Sequence, residues 1–373
     1  MKSLSAKKTV VHLASLAGIE INGNQPWDIK VNNERFFARL LNENSLGLGE
    51  SYMDGWWDCD QIDEMINRIL QSNIEDKVKK NIRLAFSLLL TKTVNFQNKK
   101  RAKIVGKKHY DTGNFLFQNM LDKDMSYTCG YWKDTNNLDD AQSAKCDLIC
   151  QKLGFQPGMS VLDIGCGWGA FAKYAAKNYG VNVTGVTISK EQVDLGTQLC
   201  TGLPVEIRFQ DYRDVKGQFD RIVSLGMFEH VGPKNYRTFM KTAYRCLKEK
   251  GLLLLHTIGS NKTGINKNPW LTKYIFPNGW IPSAKQITKS YERLFVMEDW
   301  HNFGFDYDKT LMAWHDNFEQ NWHKLTSLYD ERFKRMWDFY LLICAGSFRA
   351  RVNQLWQIVL SKEGVPEGYQ SIR

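Results

Sequence analysis

Apolar and polar residues follow two different rhythms along this chain, and the change falls near residue 109. In the front part, "WDIKVNNERFFARLLNE" passes from a strand-like alternation into a helical stripe carrying Phe36, Phe37, Leu40 and Leu41. A glycine- and aromatic-rich stretch, "SLGLGESYMDGWWDCD", comes next, with Tyr52, Trp56 and Trp57. "IDEMINRILQSNI" and "NIRLAFSLLL" then have the spacing of amphipathic helices. Residues 1–90 are therefore expected to form a small α+β domain whose stripes face a core or a domain interface, with Phe36, Trp56 and Trp57 offering apolar faces to a bilayer or a second copy.

From residue 109 the rhythm is that of an α/β chain. "SVLDIGCG", "VNVTGVTIS", "VEIRFQD", "FDRIVSLG" and "GLLLLHTIG" are short β-rich runs, and helical stretches such as "AFAKYAAKNY" and "EQVDLGTQLC" lie between several of them. Strands that alternate with helices imply a mainly parallel sheet with helices on both faces. "FVMEDWHNFG" and "LWQIVLSK" supply two late strands, for seven in all. Residues 109–373 are expected to form this α/β domain, and residues 91–108 a linker.

That linker, within "NKKRAKIVGKKHY", brings Lys99, Lys100, Arg101, Lys103, Lys107 and Lys108 together. A solvated joint is the plain reading. Against an anionic bilayer each such residue is worth roughly 1 kcal/mol, so several give reversible surface binding. The formal net charge of +10 favours an acidic partner of some kind. Nucleic acid is not expected, because Lys99 to Lys108 carry no interleaved aromatic platforms. Eight cysteines are scattered without a CxxC, so reduced thiols and no metal site are expected; Cys146 and Cys150 share a helix face for packing. "VVHLASLAGIEI" carries His12 and lacks a small-residue cleavage pattern, which argues against a signal peptide. No apolar run reaches the roughly 18 residues that a membrane span requires.

The strongest local signal is "VLDIGCGWGAFAKYA". A strand ends at Asp163, and a turn bearing Gly165, Cys166, Gly167 and Gly169 leads into a helix. Glycines let a backbone turn sharply and approach a ligand closely. No GK[ST] follows, which excludes a P-loop, and the spacing is G-x-G-x-G rather than the dinucleotide G-x-G-x-x-G. This turn resembles the S-adenosylmethionine site of the seven-stranded class I methyltransferases. The resemblance implies ribose contacts from Thr187 and Gln192 in "VTISKEQ", and adenine contacts from Gln210, Asp211 and Tyr212 in "FQDY". The usual acidic ribose ligand is missing, and Thr187 stands in its place.

Ligands of open α/β sheets bind beyond the carboxyl ends of the strands. Glu229 in "EHVG", His256 in "LLHTIG" and Tyr307 in "WHNFGFDYD" are therefore expected to converge. Taken together, "HYDTGN", "YTCGYW", "LDIGCGWG", "GVTIS", "MFEHVG", "LLHTIG", "DWHNFG" and "FRAR" resemble the cyclopropane-fatty-acyl-phospholipid synthases over nearly the whole chain. "SLGLGESYMDGWW" points to the bacterial phospholipid branch, although Asn44 stands where that branch often has glycine.

The resemblance implies transfer of a methylene group from S-adenosylmethionine to the cis double bond of an unsaturated acyl chain in a membrane phospholipid. It also implies a bicarbonate ion as the proton acceptor, held by the Glu229, His256 and Tyr307 side chains and by the Cys129 and Ile258 backbone. Tyr127 and Thr128 fall on the cofactor side, and Tyr131 and Tyr307 are aromatic faces for a carbocation. The implied setting is the inner face of the cytoplasmic membrane, with peripheral attachment from the cytoplasm and a homodimer. Alternatives stay open at this point. Glu229 could act as the base directly, without an ion, and His256 could be a core histidine. His230 reads as structural support, pointing opposite to Glu229 if the strand continues. A methyltransferase for a small amine or hydroxyl acceptor would use the same turn.

Overall fold

Alternation along the strands builds two cores back to back. Leu162, Ile164, Ile222, Leu253, Leu255, Ile358 and Leu360 enter one, against helices Tyr236–Cys246 and Ala284–Tyr291. Their neighbours Val161, Val223, Leu225, Leu252, Leu254 and Val359 enter the other, against helices Leu138–Lys152 and Ala170–Tyr179. A sheet with both faces covered reads as near-continuous apolar runs, which is why "LLLL" can sit within one strand. The structure, a computed structural model, describes residues 3–72, 113–264 and 268–373. The helix expected at "NIRLAFSLLL" and the basic stretch Lys99 to Lys108 lie outside the described residues.

By internal contacts the chain forms two compact units. The larger, among described residues, takes 113–264, 278–310 and 354–373. The smaller takes residues up to 72, 268–277 and 311–353, and it holds a two-stranded antiparallel sheet of β1 (Lys30–Val31) and β2 (Trp57–Asp58). The larger unit holds β3 (Ser160–Ile164), β4 (Asn182–Thr187), β5 (Val205–Phe209), β6 (Phe219–Leu225), β7 (Leu247–Ser260), β8 (Val296–Asn302) and β9 (Asn353–Ser361). They form one seven-stranded sheet in the order β5-β4-β3-β6-β7-β9-β8. β5, β4, β3, β6 and β7 pair in parallel, and β8 pairs antiparallel with β9. The chain winds outward from β3 to β5 and then returns to place β6 on the other side of β3. That reversal opens a crevice at the carboxyl ends of β3 and β6, where such folds bind ligands.

The smaller unit is discontinuous in sequence. Helix Glu331–Arg349 runs against helix Ile62–Gln71, and a Cβ at Gly346 would collide with the Asp63 carbonyl. Tyr52 stacks on Phe339 at 5.5 Å between ring centroids, and the Arg335 guanidinium lies 3.9 Å from the centroid of Tyr52. "SLGLGESYM" forms a helix, Ser45–Met53, despite its glycines. Its glycines serve close approach, since the Trp270 indole occupies the space a side chain on Gly49 would need. Phe36 and Trp57 are fully buried in this unit, and Arg39 lies over Trp56 at 4.9 Å. The expected outward faces of Phe36 and Trp57 are thus spent on the unit's own core.

Candidate active site

The turn after β3 is held in a shape that side chains resist. Gly165, Gly167 and Gly169 all have positive φ, at 84°, 56° and 82°. Gly167 faces open space, whereas a Cβ on Gly165 would strike Met227. A cavity of about 170 Å³ opens at this turn. Asp163, Gly165, Cys166 and Gly167 line it from β3 and its turn, and Thr187 and Gln192 line it from beyond β4. Gln210, Asp211 and Tyr212 contribute from beyond β5, and Tyr127 and Thr128 from the loop before the sheet. Gly169 does not line it; its φ caps helix Ala170–Tyr179, and its α-carbon backs onto Ile207 and Cys200.

Two lining groups already have partners. Thr187 donates its hydroxyl to Gln192 Oε1 at 2.6 Å, so the threonine in the acidic ligand's place is oriented by the very glutamine expected beside it. Asp211 takes the Arg213 guanidinium at 2.8 and 2.6 Å, which neutralises its carboxylate. Asp163 Oδ1 is buried with no partner among the described residues, and burial pushes this carboxyl up to about 7 against the pull of the Lys145 charge.

A second constellation is assembled from distant stretches of the larger unit. β6 ends at Leu225, and "FEHV" is a single helical turn, Phe228–Val231. The strand does not continue, so Glu229 and His230 diverge by a helical step and not by strand alternation. His230 lines the cavity, while Glu229 turns toward β7 and accepts the Ile258 N–H at 2.6 Å. His256 pairs with Leu225 across the β6–β7 ladder, placing it at the sheet's carboxyl edge. Its ring lies 5.9 Å from that of Phe303, which packs in one cluster with Cys129, Tyr131, Ile258 and Tyr307. All five expected groups, Cys129, Glu229, His256, Ile258 and Tyr307, are thereby drawn together.

The loop bearing Cys129 is tied down by Thr310, whose hydroxyl accepts from the Gly130 N–H at 3.1 Å and from Trp132 Nε1 at 2.9 Å. Burial raises the Cys129 thiol well above its ordinary value, which leaves it a poor nucleophile. Glu229 is pushed up to about 7 by burial, with the Ile258 N–H pulling the other way. His256 is held well below its ordinary value by burial, with Lys145 and Lys152 adding to the effect. Glu229 Oε2 and His256 Nε2 are both buried with no hydrogen-bond partner among the described residues. Fully buried polar atoms without partners are costly, and such groups commonly face a ligand.

Residues 97–358 match the family model described as mycolic acid cyclopropane synthetase. Across 361 residues the chain is 56% identical to cyclopropane-fatty-acyl-phospholipid synthase of Escherichia coli (strain K12), covering 97% of this chain and 94% of that protein. The chain belongs to the mycolic acid cyclopropane synthetase family. Among solved structures it is similar to mycolic acid cyclopropane synthase CmaA1 complexed with SAH and CTAB, with TM-score 0.66 and 32% identity over 70% of this chain and 98% of that one. Cyclopropane synthase MmaA2 from Mycobacterium tuberculosis gives TM-score 0.67 at 29% identity, with the same coverage of both chains. The larger unit accordingly has the class I methyltransferase-like fold, and the protein is an enzyme of this family.

Within this family member, three buried polar residues beside the site escaped the motif reading. Lys145 lines the cavity, is buried and donates to Thr128 Oγ1 at 2.9 Å. Lys152 and Gln357 are buried behind His256. A signal for the lysines was present: Ala141, Lys145, Leu148 and Lys152 fall at helical spacing on the buried side of helix Leu138–Lys152, where lysine has no packing reason to be. In the smaller unit His315, Glu319 and Asp338 bring ligand-type atoms within 4.8 Å of one another. The Lys334 ammonium bonds both carboxylates there and occupies the cation's place.

Proposed function

We propose that this enzyme transfers a methylene group from S-adenosylmethionine to the cis double bond of an unsaturated phospholipid acyl chain, giving a cyclopropane ring and S-adenosylhomocysteine. The buried, unpartnered pair Glu229 Oε2 and His256 Nε2 carries the mechanistic part of this reading. Similarity over 97% of the chain to the Escherichia coli phospholipid enzyme supports the substrate class.

The donor fits the cavity on two observations. Gly167 leaves open space at the turn, and Asp163 Oδ1 lacks a partner there. Tyr127, Thr128, Gly165, Cys166, Gln210 and Tyr212 would hold it, with Thr187 and Gln192 at the ribose. S-adenosylmethionine supplies an electrophilic methyl carbon on a sulfonium. In the balanced reaction the alkene forms two new C–C bonds, the S–CH3 bond breaks with its electron pair going to sulfur, and one proton leaves. An alkene is a weak nucleophile, so orientation in a dry site must provide much of the rate. Tyr131 and Tyr307 offer aromatic faces to positive charge on the chain, each worth about 1 to 2 kcal/mol when desolvated.

Bicarbonate fits the second constellation because its O–H and its oxygens complement one acceptor and one donor. It supplies a base small enough to reach the new methyl group. Glu229 Oε2 would accept the ion's proton, while His256 Nε2, Tyr307 and the Cys129 backbone hold it. Ile258 fits differently from the expectation, because its N–H already serves Glu229 and so orients that carboxylate. The attachment to an anionic inner membrane surface rests on the net charge of +10 and on the substrate, and no described helix is long and apolar enough to cross a membrane. The cytoplasmic location and the homodimer belong to the same reading; the buried Phe36 and Trp57 lend the dimer no support.

Vesicles of an unsaturated phosphatidylglycerol, incubated with S-adenosylmethionine, are expected to yield chains with the upfield proton resonance of a cis cyclopropane methylene. A methyl-branched product would favour a plain methyltransferase. Glu229→Gln should lower kcat by about 100-fold or more, the usual weight of an acid–base group. Activity indifferent to added or removed bicarbonate would eliminate the ion and leave Glu229 as the direct base.

A further inference from the structure

Behind His256 lies a buried polar chain that the reaction as described does not use. Lys152 is a lysine with no exposed side-chain surface, held in helix Leu138–Lys152. Its ammonium donates to Gln357 Oε1 at 3.0 Å and to His301 Nδ1 at 3.0 Å, and it lies 3.6 Å from Asp299 Oδ2. Asp299 is itself fixed by Arg373 at 2.7 Å and by the Ser371 hydroxyl at 2.8 Å. Gln357, fully buried on β9, then places its Nε2 at 3.3 Å from His256 Nδ1.

Burial lowers the Lys152 ammonium to about 8 against the pull of Asp299, and below that pH each contact in this chain has only one possible direction. An ammonium can only donate, so the oxygen of the Gln357 amide must face Lys152. The amide nitrogen, which also only donates, therefore faces His256, and Nδ1 must accept. A neutral imidazole that accepts at Nδ1 carries its proton on Nε2. Neutrality follows from burial and from the nearby lysine charges, which hold His256 well below its ordinary value.

We infer that Gln357 and Lys152 are positioning residues that lock His256 as its Nε2–H tautomer, so that its buried, unpartnered nitrogen presents a donor to an anion in the active site. The inference deepens the bicarbonate reading and rests on it for the identity of the anion. The tautomer itself does not depend on that reading. Lys152 sits as i+7 to Lys145 on one helix, so this helix supplies one ammonium to the cofactor cavity and one to the anion side.

The test uses the full chain with 15N-labelled histidine, of which there are seven, and a His256→Asn variant to assign the His256 signals. Long-range proton–nitrogen correlation spectra should show a bare Nδ1 and a protonated Nε2 in the wild type. In Gln357→Glu, a carboxylate faces Nδ1 and should draw a proton onto it. That variant should also need at least 10-fold more bicarbonate for half-maximal stimulation, with KM for S-adenosylmethionine unchanged, since neither residue lines that cavity. Gln357→Met, which keeps the shape without the amide, should lose the single-tautomer signature. A wild-type spectrum with the proton on Nδ1 overturns the inference even if both Gln357 variants misfold. So does a Gln357→Glu protein whose His256 signals do not move. The expected tautomer in an enzyme unmoved by bicarbonate upholds the lock and overturns only the ion.

Discussion

Glu229 should weaken the fold it serves, by an amount that depends on pH. Its carboxyl sits at about 7 because burial penalises the charge, against an ordinary value of 4.5. Ionising it inside the fold therefore costs about 3 kcal/mol more than ionising it in the unfolded chain. A carboxyl raised in this way contributes stability that is fully present below 4.5 and lost as pH rises through about 7. Glu229→Gln has nothing to ionise. Its amide oxygen can still accept the Ile258 N–H, and its unpartnered NH2 group costs about 1 to 3 kcal/mol at every pH. The variant should thus gain on the wild type by up to about 3 kcal/mol between pH 4.5 and pH 8, whatever the constant offset. Urea unfolding of both proteins at pH 4.5 and pH 8, in bicarbonate-free buffer, measures that change. Asp163, whose carboxyl is also raised, is present in both proteins and cancels. A stability gap identical at the two pH values would refute the claim that Glu229 is strained by its charge.

Three further outcomes are expected. Gly169→Ala forces a Cβ to 2.8 Å from Ile207 Cδ1 at a φ of 82°, so the fold should lose about 2 kcal/mol, read as a lower melting temperature; an unchanged transition would contradict the packing. Lys145→Met strips Thr128 of its donor and Asp163 of its nearby cation, and calorimetry should show S-adenosylmethionine binding at least 10-fold weaker, as loss of a charged hydrogen bond worth about 1.5 to 3 kcal/mol implies. Equal affinity would remove Lys145 from the site. Thr310→Val leaves the Gly130 and Trp132 donors without an acceptor, at a cost of about 2 kcal/mol, and hydrogen exchange at the Gly130 amide should accelerate.

The strands, the glycine turn and the cofactor edge could be read from the chain because each is a local pattern. β3 to β7 are apolar runs bounded by turns, and eleven of the twelve expected cofactor residues line one cavity. Gly169 was the exception because a positive φ serves a helix cap as readily as a ligand. The helical step at "FEHV" was hidden because a four-residue helix has no periodicity to detect. Lys152 and Gln357 were hidden for a different reason. Their roles exist only once folding has brought two side chains 205 positions apart in the chain to 3.0 Å. The front aromatics misled because Phe36 and Trp57 look alike in sequence whether they face outward or, as here, inward.

The discontinuous smaller unit also sets an order of events during synthesis. Helix Ile62–Gln71 buries one face against helix Glu331–Arg349. The later helix begins about 260 residues further on, and at ribosomal speeds of roughly 5 to 20 residues per second it follows by some 13 to 52 seconds. Until then the earlier helix must wait with Ile66, which meets the later helix at Gly346, uncovered on that side. The sheet strands β3 to β7, by contrast, lie close together in the chain and can pair as they emerge. The newborn enzyme should therefore pass through a stage in which its catalytic sheet is assembling while its first-made segment is still unfinished.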